Sequence, residues 1–390
     1  MKSKFLSLQF CFLFFFITSF SQPVQVFTSG TEGHKSYRIP AVVALPDGGL
    51  LAFAEGRVKG SGDFGDINIV LKKSTDKGKS WSALQVVVNY DSLQAGNPAP
   101  VVDQLDPEYP KGVVYLFYNT GNNHEGEVRK GKGLREIWVV RSVDGGITWV
   151  DAKNITSQTH KPNQPAVNAS YNFKEDWRSY ANTPGHAFQF QQGKYKGRIF
   201  VAANHSSGEP QKQFRDYAAH GYYSDDHGKS FKLSTLIDIP GSNESIATEI
   251  SNSKMLMSIR NQRGDIRQRI LAYSSNGGAS WDTAYFEPAL PDAVCQGSLI
   301  TLGYKKGKAI VASSNSADTA RRDNLTLRIS YDEGKSWDKS FVVEKSTDNK
   351  SRDWTAYSDM VILNKKTIGI LYERNNYGEI VFKPVVWQGK

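Results

Sequence analysis

Short apolar runs separated by polar, turn-forming residues recur along the whole chain. Residues 41–45, 67–72, 113–118, 137–141, 199–203, 254–259, 310–313 and 361–363 are rich in Val, Ile, Tyr and Phe. Runs of this length, bounded by Gly, Asn, Asp or Pro, predict β-strands. Asp47-Gly48 and Asn276-Gly277 predict tight turns between strands. No long amphipathic helix is predicted. Two stretches, 119–133 and 161–184, are rich in Asn, Gly and charge. They predict loops that form a rim or lid.

One motif punctuates the strands five times. It reads STDKGKSW at 74–81, SVDGGITW at 142–149, SDDHGKSF at 224–231, SSNGGASW at 274–281 and SYDEGKSW at 330–337. The shared form is S-x-D-x-G-x-x-W, with Phe231 in the Trp place of the third copy and Asn276 in the Asp place of the fourth. The Asp or Asn bonds its own backbone and opens a turn, the Gly accepts positive φ, and the ring beyond packs under the turn. Repeats about 50 to 80 residues apart, filled by strands, predict a radially repeated sheet rather than stacked helices. The expectation is an all-β, six-bladed β-propeller with Asp-box turns, at ~60 residues per blade. Residues 22–390 hold no linker and read as one domain, a monomer.

The N-terminus is a different kind of segment. Lys2 and Lys4 precede an apolar core at 10–17, and Ser19-Phe20-Ser21 offers small residues where a signal peptidase reads. Residues 1–21 are therefore expected to be a signal peptide cut after Ser21, giving an exported protein, periplasmic or secreted. The apolar run is too short for a membrane anchor. Cys11 lies inside that run rather than after it, which argues against lipidation. No other long apolar run exists, so no membrane span is expected. Cleavage leaves Cys295 as the sole cysteine and excludes an intrachain disulfide. Net charge is +9, or +7 once Lys2 and Lys4 leave. The basic residues are scattered among acidic ones, unlike the clustered face of a nucleic-acid binder. A solvated surface and attraction to acidic substrates fit this balance equally.

The seven histidines form no H-E-x-x-H pair, and there is no Walker loop and no G-x-S-x-G elbow. No metal and no cofactor is expected. What remains is arginine in apolar or turn contexts: Tyr37-Arg38-Ile39-Pro40, Ser258-Ile259-Arg260-Asn261 and Arg321-Arg322-Asp323-Asn324-Leu325. Each alone reads as an ordinary surface or ion-paired residue. Three in one repeat fold suggest a cluster that grips an anion.

The order of motifs resembles the exo-α-sialidases (neuraminidases) of the bacterial and animal type. Arg-Ile-Pro comes first, then Phe53-Ala54-Glu55-Gly56-Arg57, then Gly62-Asp63-Phe64-Gly65-Asp66-Ile67 leading into the first Asp box. Asn243-Glu244 with Glu249, Ser258 to Asn261, Arg322 to Leu325, Tyr357-Ser358-Asp359 and Leu371-Tyr372-Glu373 follow. An Asp box alone is a weak signal, but the ordered set covers nearly the whole mature chain. The resemblance implies that Arg38, Arg260 and Arg322 hold the substrate carboxylate, with Arg321 as the alternative to Arg322. It implies Tyr357 as nucleophile, Glu244 as its base with Glu249 as the alternative, and Asp63 as acid/base with Asp66 as the alternative. Glu373 would orient the first arginine, and Arg57 would face the pocket. The stretch 184–188, with His186 and Ala187, would border the glycerol arm or the aglycone.

These residues fit a retaining exo-α-sialidase acting on sialylated glycoproteins, glycolipids or oligosaccharides. A trans-sialidase would keep the same residues. A non-enzymatic sialic-acid-binding propeller would have no use for nucleophile, base and acid together. Asn154, Asn168, Asn204, Asn243 and Asn324 head N-x-S/T sequons. Glycans on Asn243 or Asn324 would obstruct the site, which favours a bacterial source.

Overall fold

A computed structural model describes residues 22–348 and 351–388. The expected signal peptide, 1–21, lies outside the described residues. The described residues are all-β, with two four-residue helices and two 3-10 turns between the strands. Most strands pair antiparallel with a neighbour in sequence, as hairpin-rich turn chemistry dictates.

The strands form five sheets. One contains Ser242–Glu249, Met255–Asn261, Gln268–Ser274 and Thr283–Pro291 in that order. The next contains Gly297–Lys305, Lys308–Ser316, Leu325–Ser330 and Lys339–Glu344. A third is built on Trp177–Asn182, Ile199–Ser207 and Tyr217–Ser224. A fourth pairs the first described strand, Val24–Thr28, with Glu379–Val386 near the C-terminus, followed by Thr367–Arg374 and Thr355–Asn364. The two ends of the chain thus close the ring through one sheet.

The fifth sheet corrects the expected six-bladed propeller. It runs through eight strands, from Ser36–Ala44 to Val150–Asn154, so four sheets stand as separate blades and the fifth is continuous. The cause is local. Ile67 pairs in parallel with Gln94, and the Ile67 N–H donates to Leu93 O at 3.2 Å. Dividing chain length by an average blade assumes a gap after every fourth strand, and this bridge removes one.

The innermost strand of each sheet packs on those of its neighbours around a central axis. Ser36–Ala44 lies against Thr355–Asn364, which lies against Gly297–Lys305, which lies against Ser242–Glu249. Asp359, fully buried, ties this axis together. Its carboxylate accepts the Val42 and His186 N–H groups at 2.9 and 3.0 Å and the Ser298 hydroxyl at 2.8 Å.

All five Asp boxes begin at the last residue of a strand: Ser74, Ser142, Ser224, Ser274 and Ser330. In each, the serine Oγ accepts the N–H of the box glycine, and the Asp or Asn accepts the N–H of the residue four positions on. The ring at the end of the box packs on the preceding sheet or blade core. Trp81 meets Phe382, Trp149 meets Phe53, Phe231 meets Phe117 and Trp281 meets Phe200, at 5.4 to 6.2 Å between centroids. The boxes therefore stitch one strand group to the last. The strands that end in Ser74 and Ser274 run antiparallel to those that end in Arg57 and Asn261. Topology alone sends boxes and arginines to opposite rims.

Candidate active site

Four strands around the axis break register near one end. The breaks fall between Arg38 and Ala41, Gly96 and Ala99, Ser242 and Ser245, and Thr355 and Ser358. A bulge turns a side chain out of the alternating pattern. Arg38, Asn97, Glu244 and Tyr357 sit in these four breaks, and all line one cleft of about 240 Å3. Ile39 and Asn97 carry φ of +58° and +53°, the local cost of that turn.

The bulges free backbone N–H groups, and buried carboxylates take them. Glu373, fully buried, accepts the Ile39 N–H at 2.8 Å and the Arg38 Nε at 2.7 Å through one oxygen. Its other oxygen faces the Tyr357 N–H at 3.4 Å. Glu55 plays the matching part for Arg57. Its Oε2 accepts Arg57 Nε and Nη2 at 3.0 and 2.7 Å, and its Oε1 accepts the Asn97 N–H at 2.9 Å. One acid thus fixes both a strand bulge and an arginine, twice.

At the centre, the Tyr357 hydroxyl donates to Glu244 Oε1 at 2.5 Å. Arg260 Nη1 donates to Glu244 Oε2 at 2.6 Å and to the Tyr357 oxygen at 3.2 Å. Arg38 and Arg322 flank the Tyr357 ring, with their guanidinium carbons 5.4 and 5.6 Å from its centroid. Burial pushes the Tyr357 phenol well above its ordinary pKa, and the Glu244 charge adds to this, against Arg260 and Arg322. The tyrosine is therefore a protonated phenol at rest, hydrogen-bonded to the one carboxylate that can take its proton.

Asp63 stands on the loop between the strands Leu50–Arg57 and Ile67–Ser74, with its side chain 84% exposed at the cleft mouth. Arg57 Nη1 reaches it at 2.7 Å. Desolvation acts to raise its pKa, but the charges of Arg57, Arg38 and Arg322 outweigh that and hold the carboxyl below its ordinary value.

The alternatives separate in space. Arg322 lines the cleft, whereas Arg321 turns to Asp318 and Asp323, at 3.3 and 3.5 Å. Glu249 is buried away from the cleft, where it accepts the Gln191 and Gln192 N–H groups. Asp66 does not line the cleft either. Nor does His186, which is buried against Asp359 with its Nδ1 at 2.7 Å. No residue of the stretch 184–188, expected to border the glycerol arm or the aglycone, lines this cleft.

Gln94, Glu125, Arg135, Ser179, Tyr180, Asn204 and Gln262 also line the cleft and were not singled out from the sequence. Glu55 carried a signal that could have been read: two residues before Arg57 in a strand, it must share its face. The others lie on loops and distant strands with no such mark. Among the described residues, one set has metal-ligand types in reach of each other, Asp103, Asp106 and His227. None of them lines this cleft, and His227 lies in the third Asp box with its Nδ1 at 2.7 Å from Asp103.

Residues 48–370 match the BNR repeat-like domain family. The chain belongs to that family. Its relatives include the sialidase of Micromonospora viridifaciens, 28% identical over 367 residues, and the sialidase of Bacteroides fragilis (strain YCH46), 26% identical over 367 residues. Each match covers 88% of this chain, but only 51% and 61% of those relatives, so this BNR repeat-like chain spans about half to three-fifths of their length. Among solved structures, Hadza microbial sialidase Hz136 aligns with a TM-score of 0.76 at 22% identity, over 94% of this chain and 68% of that one. The intramolecular trans-sialidase from Ruminococcus gnavus aligns with a TM-score of 0.68 at 17% identity, over 93% and 97%. These structures share the fold. The family resemblance read from the ordered motifs stands.

Proposed function

We propose that this chain is a retaining exo-α-sialidase that releases terminal sialic acid from glycoconjugates through a tyrosyl-sialoside. The observation that carries this reading is the Tyr357–Glu244 hydrogen bond, set among Arg38, Arg260 and Arg322. A sialic acid bears a carboxylate on its anomeric carbon. Guanidinium groups match that carboxylate with paired, charge-assisted bonds. An anionic nucleophile would meet like charge there, whereas a phenol is neutral until it attacks. Sialidases with a tyrosine nucleophile are an established exception to the two-carboxylate pattern of glycosidases.

The proposed steps balance as follows. Glu244 takes the Tyr357 proton as the phenol oxygen bonds the anomeric carbon. The glycosidic C–O bond breaks, and its oxygen takes a proton from Asp63. Asp63 then removes a proton from water, whose oxygen bonds the anomeric carbon. The tyrosyl C–O bond breaks, and Glu244 returns its proton to Tyr357. Two inversions give net retention. Asp63 must be protonated for the first step, yet its resting pKa is low. An incoming carboxylate offsets the charge of Arg38 and Arg322, two of the groups that depress it, and so raises it toward what an acid needs.

Residues 22–390 would be the catalytic unit and 1–21 its export signal, for a periplasmic or secreted enzyme that needs no cofactor. A binding propeller without turnover would use the arginines but not the Tyr357–Glu244 pair. The test is a time course with a defined α-sialoside followed by NMR. The α-anomer of free sialic acid should appear first. Appearance of the β-anomer first, or no turnover, would sink the reading. An anhydro product or a sialylated acceptor would instead assign intramolecular or intermolecular transfer.

A further inference from the structure

The three clamp arginines are like charges held close together, so something must fix their spacing. Arg260 has Glu244 at 2.6 Å, and Arg38 has Glu373 at 2.7 Å. Among the described residues, no carboxylate lies that close to Arg322. Asp353 lies 3.7 Å from its Nε, and Val294 O lies 3.5 Å from its Nη2. Its shortest side-chain hydrogen bond, at 3.1 Å, goes to the hydroxyl of Tyr377. The face of that same ring lies 3.8 Å from the Arg38 guanidinium carbon. One tyrosine touches two arms of the clamp, by its face and by its hydroxyl.

Tyr377 itself is held in an uncommon conformation. Asn375, Asn376 and Tyr377 have φ of +57°, +50° and +67° in succession. Asn tolerates the left-handed region, but a tyrosine there costs about 1 kcal/mol or more. The turn is pinned on several sides. Gly378 N–H donates to Asn375 O at 2.9 Å, Asn375 and Asn376 N–H donate to Trp354 and Asp353 O at 3.0 Å each, and Ser29 Oγ donates to Tyr377 O at 2.8 Å. Tyr377 packs beside Ile39, Ala356 and Tyr357 yet does not line the cleft. It can reach a bound anion only through the arginines.

We propose that Tyr377 is a positioning residue that sets the spacing and orientation of Arg38 and Arg322, and so tunes the grip on the substrate carboxylate. This rests on the sialidase reading of the same cleft. Stacking on an arginine face restrains its plane, and the hydroxyl fixes the second fork relative to the first. Tyr377→Phe keeps the ring under Arg38 and loses the hydroxyl, with its bond to Arg322 and its contact with Asp353. Tyr377→Leu loses both.

The test is calorimetric binding of methyl α-sialoside as the free acid and as its methyl ester, with kinetics alongside. Tyr377→Phe should weaken the acid about tenfold, the worth of one hydrogen bond to a charged group. The ester, already without the anion, should be bound as by the wild type. KM should rise about tenfold with kcat within about twofold, because the grip acts on ground and transition states alike. Tyr377→Leu should lose about a hundredfold in kcat/KM, and a melting curve shows whether it folds. If it does not, Tyr377→Phe decides. Equal affinity of Tyr377→Phe and wild type for the acid, or the same loss for acid and ester, overturns this proposal alone. Failure of the wild type to bind either compound overturns the sialidase reading and this proposal with it.

Discussion

The Asp-box rim and the cleft rim are both built from hydrogen-bonded acids, yet they are organised in opposite ways. In the boxes the motif Asp is spent on its own turn. Asp144 bonds Ser142, Ile147 and Thr148, none more than four residues away. In the cleft the partners are far apart in sequence. Tyr357 and Glu244 are 113 positions apart, and Arg38 and Glu373 are 335. A box is a local device that tolerates change: Asn276 still accepts from the Ser274 hydroxyl and the Ser280 N–H, and its amide donates to the Ser280 hydroxyl where an Asp would accept from it. The cleft is a nonlocal device in which Glu244, Glu373 and Glu55 each serve two or three groups. The lesson is that repeated, self-contained turns carry stability, while shared acids carry orientation.

That contrast can be broken most directly in the cleft. Tyr357→Phe should fold as the wild type, since the ring stays, but lose on the order of 10³ or more in kcat. A fluorinated sialosyl donor should label Tyr357 in the native protein, read by peptide mass spectrometry. A label on Asp63 or Glu244 would reassign the nucleophile. Next in size is the clamp. Arg260→Lys keeps the charge and loses the planar guanidinium whose Nη1 joins Glu244 to Tyr357, so kcat/KM should fall about a hundredfold. Arg322→Ala should fall comparably, and Arg321→Ala should stay near wild type. The reverse order of the last two in a kinetic assay would place the clamp on the wrong arginine.

On the opposite rim the effects should be on stability alone. A Cβ on Gly78 would sit 2.2 Å from the Phe382 ring, at a φ of +84°. Gly78→Ala should cost about 1–3 kcal/mol in a denaturant titration, with kcat per folded molecule unchanged. A loss of kcat there would show that the rims are coupled. The smallest effect concerns acid. Hydrogen bonds from Thr148 and Ser142 overcome the opposing cost of burial and hold the Asp144 pKa at about 2. A depressed folded pKa means stability that is present above the unfolded value of about 3.9 and is lost as pH falls toward 2. The group is exposed, so its share is under about 1 kcal/mol. Asp144→Asn should therefore leave the melting temperature at pH 7 within a few degrees and flatten its fall below pH 4. A steeper fall in the variant would deny the box carboxylate this role.

What the sequence by itself determined is what short-range chemistry writes. Turn residues, β-branched runs and the box motif declared an all-β repeat fold, because each works within about eight residues of itself. Arg38, Arg260, Arg322 and Tyr357 could be picked out by their setting and by family order. The choice between Arg322 and Arg321, or between Glu244 and Glu249, could be weighed in the sequence, but the folded chain separates them in space. Adjacent residues face opposite ways in a strand, but Arg321 and Arg322 lie on the loop before Leu325–Ser330, and the path of that loop separates them. Bulges at Arg38, Asn97, Glu244 and Tyr357 then override even that alternation, and they leave no mark in the residues themselves. The continuous eight-stranded sheet turned on one parallel bridge, Ile67 to Gln94, a contact between the first residues of two strands that no periodicity announces. Tyr377 and Glu55 acquired their roles in the same way. A tyrosine in an Asn-rich turn and a glutamate in a strand come to support the arginines of one cleft only when the ring closes and brings distant strand ends to the same axis.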